Sequence, residues 1–160
     1  MMRLRLFMVL VVSLVISGCG SAPSPLDQPL IARFYLEAKP GVSAMPLQMP
    51  VSRTLVNVNP QPVLTEHDIA NVEFAKVALG WCLYFQFNPA ATRDLYRLTS
   101  ANPGARLVLT LNDTPVGVRP IDQIIADGNL LTFVELPNDQ LPPIAERLKR
   151  TSAALAKKGR

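Results

Sequence analysis

A chain reversal at residues 102–104 constrains the fold of this sequence more than any other feature. Before it, Ala91, Leu95 and Leu98 recur at the spacing of one helix face, so a helix is expected to end there. The segment Asn102-Pro103-Gly104 then turns the chain, and its glycine suits a helix exit that needs a positive φ. After the turn, leucines alternate from Leu107 to Leu111, as in a strand with one buried face. The sequence therefore predicts a helix and a strand joined by a tight turn.

Strand and helix patterns continue on both sides of this unit. The stretch from Trp81 to Phe87 alternates like a strand and is expected to lie in the core, and Asn88-Pro89 is typical of an N-cap followed by the first helical position. Downstream, the sequence predicts a strand around Val116–Val118, a short helix over Pro120–Ala126 and a strand over Leu131–Leu136. The order from residue 81 is β-α-β-β-α-β, the split βαβ arrangement of ferredoxin-like domains.

Further elements flank this core. Ile31–Glu37 and Met49–Val58 are β-rich, and Val72–Leu79 fits a strand or a helix, with its valines and phenylalanine favouring a strand. After Pro137, apolar residues share one narrow helix face. The expected fold class is α+β: a ferredoxin-like split core with extra N-terminal strands and a C-terminal helix.

The N-terminus carries the pattern of a bacterial lipoprotein signal. Arg3 and Arg5 precede the apolar run Leu6–Ile16, which is too short to span a bilayer as a stable helix. The run leads into Ser17-Gly18-Cys19, which resembles a lipobox; in that family the cysteine receives acyl chains such as palmitate and the preceding peptide is removed. The alternative is an ordinary secreted protein whose Cys19 is a spare thiol.

These patterns divide the chain into four expected segments. They are a signal peptide at 1–18, a lipidated cysteine with a flexible Pro-rich tether at 19–30, an α+β domain at 31–137 and a basic helix at 138–160. By the sorting rule of the lipoprotein family, Gly20 in place of Asp favours the outer membrane over the inner one. The domain is expected to face the periplasm.

Charge is unevenly distributed along the chain. The formal net charge is +4, yet every charged residue beyond Glu146 is basic and the preceding body is mildly acidic. This distribution argues against a dedicated nucleic-acid binder. The tail predicts either a solvated helix face or contact with anionic lipid, lipopolysaccharide phosphates or an acidic partner. The candidate contact residues are Arg147, Lys149, Arg150, Lys157 and Lys158.

No combination of residues indicates catalysis, a metal site or a cofactor. His67 is the only histidine and is expected in an exposed turn, because a metal needs three or four convergent ligands. Cys82 has no disulfide partner once Cys19 is lipidated, and its apolar surroundings predict a buried, unreactive thiol. The protein is therefore expected to be non-enzymatic.

One spaced pattern resembles a known family. Tyr84–Phe87 and Ala91 are followed by Leu98-Thr99, Asn102, Gly104, Leu107 and Leu111, and then by Pro120-Ile121, Ile124-Ile125 and Gly128. With Leu64-Thr65 and Asp68-Ile69 upstream, this pattern is similar to the head subdomain of the first periplasmic domain of SecD, the protein-export accessory subunit. The resemblance covers about residues 64–135. It departs from the family at Thr132–Glu135, where glycines are usual, and in lacking the transmembrane helices that couple export to the proton gradient.

The resemblance implies a fold and a capacity to touch unfolded or envelope polypeptides, but no translocase activity and no catalytic residues. The protein is expected to be a non-enzymatic envelope lipoprotein that binds protein or peptide partners, in export or in envelope assembly. The expected contact surface is a sheet edge in the Pro-rich N-terminal half or a groove beside the 105–119 hairpin. The alternative is a binder of anionic lipid or lipopolysaccharide through the basic C-terminal helix. Neither nucleic acid nor a small-molecule substrate is expected.

Overall fold

The structure is a computed structural model that describes residues 28–158. Its elements, in chain order, are β1 (Ala32–Leu36), β2 (Met45–Gln48), β3 (Leu55–Val58), β4 (Ile69–Val77), β5 (Gly80–Phe87), α1 (Pro89–Ala101), β6 (Arg106–Leu111), β7 (Thr114–Pro120), β8 (Asn129–Thr132) and α2 (Leu141–Lys158). A 3₁₀ turn at Asn138–Gln140 leads into α2. The expected α+β class is confirmed, with extra N-terminal strands and a C-terminal helix.

The strands within residues 28–158 form three small antiparallel sheets. Sheet A has the order β1-β6-β7, sheet B consists of β2-β3, and sheet C has the order β4-β5-β8. The strands that flank α1 therefore lie in different sheets, β5 in sheet C and β6 in sheet A. The two sheets face each other across the core.

Strand β6 is buried on both faces, and the two hydrophobic clusters of the domain meet there. Leu107 and Leu109 belong to the main cluster, which fills the space between sheets A and C. Val108 points the other way, into a smaller cluster with Val56 and Val58 of sheet B. Sheet B thus covers the outer face of sheet A, and the apolar side chains on both faces of β6 are packed against other residues.

Aromatic contacts join sheets A and C inside the main cluster. The ring of Phe34 on β1 meets Phe85 of β5 edge to face, with 5.0 Å between centroids, and meets Phe87 at 5.9 Å. This geometry suits the quadrupoles of aromatic rings and contributes beyond the buried area alone. Phe85 and Phe87 are buried, as the sequence predicted.

Strand β7 of sheet A meets the segment that follows β8 at Gly117. Its backbone forms a bridge with Val134, and the Glu135 amide donates to the Val116 carbonyl at 2.7 Å. A Cβ atom on Gly117 would lie 2.5 Å from the Phe133 carbonyl oxygen. The approach of the segment after β8 therefore requires a glycine at this position of β7.

Helix α1 has the ends that the sequence predicted. The Asn88 side chain accepts a hydrogen bond from the Ala91 amide at 2.9 Å, and Pro89 occupies the first helical position. Gly104 has a φ of +80° beyond the helix end, in the left-handed region that favours glycine. The turn at residues 102–104 is therefore a corner of the fold.

Helix α2 packs on β4 and β5 through a narrow stripe. The buried residues of the stripe are Leu141, Ala145, Leu148 and Ser152. Ile144 and Leu155, which share the narrow apolar face of the sequence pattern with Leu148, are half-buried at the borders of the stripe. Small residues alternate with leucines along the stripe, so the helix backbone approaches the sheet closely.

The prediction of a short helix over Pro120–Ala126 is wrong. Pro120 ends β7, and the backbone of Ile121 pairs with residues across the turn: its amide donates to the Ala105 carbonyl at 2.8 Å and its carbonyl accepts from Gly104. The Ile125 amide donates to the hydroxyl of Thr99 on α1. These distant partners satisfy the backbone groups that a helix would have paired locally.

Other predicted boundaries shift by a few residues. The β-rich stretch Met49–Val58 contains the turn between β2 and β3 in addition to β3 itself, and β8 begins at Asn129 instead of Leu131. The predicted signal peptide, Cys19 and the tether up to residue 27 lie outside the described residues. Within residues 28–158, no helix has the length and apolar character needed to cross a membrane.

Replacing Gly117 by alanine is expected to destabilise the domain by roughly 1–3 kcal/mol, because the new methyl group overlaps a backbone carbonyl that cannot move alone. Urea unfolding followed by circular dichroism measures this difference. Thr114→Ala, at an exposed position of the same strand, is the control and should change the free energy of unfolding by less than about 0.5 kcal/mol. Equal stability of the two variants would show that β7 and the segment after β8 do not meet as described.

Candidate functional site

Three carboxylates with lowered pKa values join separate parts of the fold. Arg106 donates to both carboxylate oxygens of Glu37, with Nε to Oε2 at 3.0 Å, and the Arg106 amide donates to the same carboxylate. The guanidinium lowers the pKa of Glu37 through these hydrogen bonds, against a smaller opposing effect of burial. This pair fastens the end of β1 to the start of β6.

Two further carboxylates have similar structural roles. Glu66 accepts from Arg33 at 3.1 Å, and the pKa of Glu66 is lowered because the hydrogen bonds and charge of its partners outweigh the desolvation that raises it. Glu135 accepts from the amides of Val51 and Ser52 at 2.7 and 2.9 Å, which ties the segment after β8 to the sheet B turn. Each of these carboxylates therefore joins two parts of the fold.

The residues weighed for catalysis or metal binding remain apart. The His67 side chain is 67% exposed and its Nε2 lies 4.0 Å from Glu66 Oε1. Cys82 is buried, and burial raises the pKa of its thiol above the usual range. Across residues 28–158, no three His, Cys, Asp or Glu side chains converge in a geometry that could hold a metal ion.

A cluster of exposed side chains lies at the end of the β4–β5 hairpin. We call Phe74, Lys76, Leu79 and Trp81 the hairpin tip. The rings of Phe74 and Trp81 are 5.5 Å apart, and Lys76 Nζ lies 5.6 Å from the centroid of the Trp81 ring. Exposed fractions are 43% for Phe74, 37% for Trp81 and 85% for Leu79.

The hairpin tip continues the apolar face of sheet C beyond the core. Phe74 is paired with Leu83, and Lys76 with Trp81, so these side chains share the face that buries Phe85. Leu83 is fully buried, whereas the next residue on that face, Trp81, is only partly covered. The hairpin therefore extends past the elements that cover sheet C and presents aromatic surface to solvent.

The sequence missed this surface because strand alternation alone does not show where a covering layer ends. Trp81 was placed in the core with the other aromatic residues of β5. A signal was present: Ala78-Leu79 form the hairpin turn, so residues near it lie farthest from the sheet centre. Lys76 directly opposite Trp81 is a second sign of an open position.

The two contact surfaces expected from the sequence are less suited to a partner. Strand β2, an edge in the Pro-rich half, contains Pro46, which has no amide hydrogen to donate. A groove of about 450 Å³ does lie beside the 105–119 hairpin, between Arg119 and Leu131. Arg119 lines this groove and forms an ion pair with Asp122 at 2.9 Å, so its charge is already paired.

The basic residues of the C-terminus lie largely on the solvent side of α2. Arg147, Arg150 and Lys157 are spaced by three and seven residues, so they share one side of the helix, opposite the buried stripe. Lys149 is exposed but lies away from this strip. Lys158 is the last residue of α2, and its side chain lies outside the described part of the chain.

No family model matches this chain, and no curated protein matches it. Solved structures do share its fold. A crystal structure of SecDF in a super-membrane-facing form matches with a TM-score of 0.60 at 20% identity, over 76% of this chain and 18% of that chain. A structure of SecDF, described as a membrane component that enhances protein export, matches with a TM-score of 0.59 at 20% identity, over 78% of this chain and 63% of that chain. The expected SecD-like fold is confirmed, and this chain spans less than two thirds of either protein.

Glu37→Gln is expected to lower the free energy of unfolding at pH 7 by roughly 1–2 kcal/mol, because Arg106 loses its charged partner. A carboxylate with a lowered folded-state pKa stabilises above its unfolded pKa, about 4.3, and this contribution disappears as pH falls through the folded-state value. The variant should therefore lose less stability than the wild type between pH 5 and pH 3, as measured by thermal unfolding. Asp94→Asn, in an exposed helix pair, should leave the pH profile unchanged, and parallel profiles for Glu37→Gln and wild type would contradict the role of this pair.

Proposed function

We propose that this protein is a lipid-anchored, non-enzymatic component of the bacterial envelope whose SecD-like domain binds extended polypeptide in the periplasm. The observation that carries the proposal is the hairpin tip. There, Phe74 and Trp81 form an exposed aromatic pair on the face that is otherwise the core of sheet C. Lys76 adds a cation above the Trp81 ring.

The chemistry of the hairpin tip favours an unfolded polypeptide as the partner. Such a chain displays apolar side chains that a folded protein buries, and aromatic surface gains free energy when it covers them. The Phe74–Trp81 pair is already held by the β4–β5 pairing, so little side-chain entropy is lost on binding. Leu79 in the turn enlarges the apolar area on the same projection.

The likeness to SecDF supports a role in protein export or envelope assembly. One of the matching structures is of a membrane component that enhances protein export. A domain of that fold is suited to contact exported polypeptide. At 20% identity the likeness concerns the fold, so the polypeptide contact is argued from the hairpin tip.

The lipid anchor rests on the N-terminal sequence. The basic start, the apolar run Leu6–Ile16 and Ser17-Gly18-Cys19 occur at lipoprotein spacing, and several acyl chains on Cys19 would hold the domain stably at a membrane. Gly20 favours the outer membrane. The domain would then work on the periplasmic side, where exported chains are still unfolded.

The absence of catalysis is part of the proposal. The carboxylates with lowered pKa values are engaged in structural contacts: Glu37 with Arg106, Glu66 with Arg33, Glu135 with turn amides, and Asp127 with Asn129. A general acid or base needs a group that is free to exchange a proton with a substrate. Cys82 is held as a buried thiol, which is a poor nucleophile.

A second candidate function, binding of anionic lipid through α2, is favoured by the cations on its solvent side. Arg150 and Lys157 are exposed there. The apolar stripe of α2 is buried against β4 and β5, however. The helix therefore cannot insert its apolar side into a bilayer while the domain is folded. Lipid contact by α2 would therefore be electrostatic and would add to the anchor.

Trp81 is the only tryptophan of the chain, so it reports directly on the hairpin tip. We expect reduced and carboxymethylated ribonuclease A, an unfolded polypeptide without tryptophan, to shift Trp81 emission to shorter wavelength and to protect it from acrylamide quenching. Phe74→Ser should lower the affinity measured in this titration by about tenfold, because it removes half of the aromatic pair.

Tyr96→Ser is the matched control, since it removes a comparably exposed aromatic residue from α1. It should leave the affinity within about twofold of wild type. A polypeptide that binds without any change in Trp81 emission, or binds Phe74→Ser as well as wild type, would place the contact elsewhere and contradict the proposal.

A further inference from the structure

The start of the described chain is fastened to the basic helix. The Gln28 carbonyl accepts a hydrogen bond from Arg147 at 3.2 Å, and the Leu30 amide donates to the hydroxyl of Thr151 at 3.2 Å. Between them lies a shallow groove of about 280 Å³ that Pro29 shares with Ala154 and Leu155 of α2. The segment that leads back to Cys19 therefore leaves the domain beside α2.

The side of α2 next to this exit is cationic. Arg147, Arg150 and Lys157 lie along one strip, with Ala154 exposed between them. Glu146 is the last acidic residue of the sequence, so the helix becomes more positive toward its end. Two independent features thus coincide on one side of the domain: the exit of the tether and the positive strip.

We propose that this side of the domain faces the membrane, with the cationic strip of α2 held against an anionic phospholipid surface. The proposal rests on the lipid anchor at Cys19 proposed above. Nine peptide units separate Cys19 from Gln28, and a fully extended chain of that length reaches about 30 Å. The strip therefore stays within reach of the bilayer to which Cys19 is attached.

Charge complementarity favours an anionic phospholipid bilayer as the surface that the cationic strip contacts. A bilayer with anionic headgroups attracts lysine and arginine side chains within a Debye length, which is about 8–10 Å at physiological salt. Attraction along the strip selects the orientation in which α2 lies on the surface. The anchor supplies a high local concentration, so a weak electrostatic contact is sufficient.

The proposal is tested on the lipidated full-length protein in vesicles. Ala154→Cys introduces an exposed labelling position within the strip, while Cys19 carries lipid and Cys82 is buried. A fluorophore attached at position 154 is quenched when it comes close to nitroxide-labelled lipid headgroups. Vesicles of phosphatidylcholine are compared with vesicles that also contain phosphatidylglycerol.

We expect about threefold stronger quenching in the anionic vesicles, and loss of this difference when salt rises from about 0.05 to 0.5 M. Arg150→Glu with Lys157→Glu should abolish the difference. If this double variant does not fold, Lys157→Glu alone is tested instead and should reduce the difference by about half. Lys39→Glu with Arg93→Glu changes the net charge equally at exposed sites off α2 and should keep the difference.

Equal quenching in both kinds of vesicle, or equal effects of the two double variants, would overturn the proposed orientation while leaving the anchor intact. Failure of the wild-type protein to float with neutral vesicles would contradict the anchor itself, and the orientation with it. The two failures are therefore distinguishable.

Discussion

Strand β6 is buried on both of its faces, and the arrangement of the domain depends on that burial. Leu107 and Leu109 require a layer on one side, which sheet C supplies through Phe85, while Val108 requires a layer on the other, which sheet B supplies through Val56. A strand of this kind has no solvent-facing side and tolerates no slip in register, because a shift by one residue would exchange its two faces. The Glu37–Arg106 pair fixes that register where β6 begins.

The surfaces that we propose for function lie at the periphery of this arrangement. The core is filled with aromatic and aliphatic side chains, and Glu66 and Glu135 are held by an arginine and by turn amides. The two proposed surfaces are the hairpin tip, where sheet C extends beyond its cover, and the cationic strip of α2. On our proposal, the apolar hairpin tip binds polypeptide, while the cationic strip of α2 contacts anionic headgroups.

Local sequence predicted the elements whose structure is locally determined. The N-cap at Asn88, the positive φ at Gly104 and the strand alternation of β5 follow from neighbouring residues. The segment after Pro120 escaped prediction because its backbone is satisfied by Gly104, Ala105 and Thr99, which are distant in sequence. The exposure of Trp81 escaped for a related reason, since only the tertiary structure shows where the covering layer over sheet C ends. The SecD-like fold was found from spaced apolar and turn residues because these are the positions that a shared core and shared corners constrain.

The central claim is that the hairpin tip meets polypeptide in the envelope, and site-specific photocrosslinking in intact cells tests it most directly. A photoreactive amino acid at Leu79, which is 85% exposed in the turn, should crosslink to newly exported polypeptide, and the signal should fall when export is blocked. The same photoreactive amino acid at Tyr96 on α1, which is 49% exposed, should give no such adducts. Crosslinks of equal yield from both positions, or adducts at Leu79 that persist unchanged when export stops, would contradict the account.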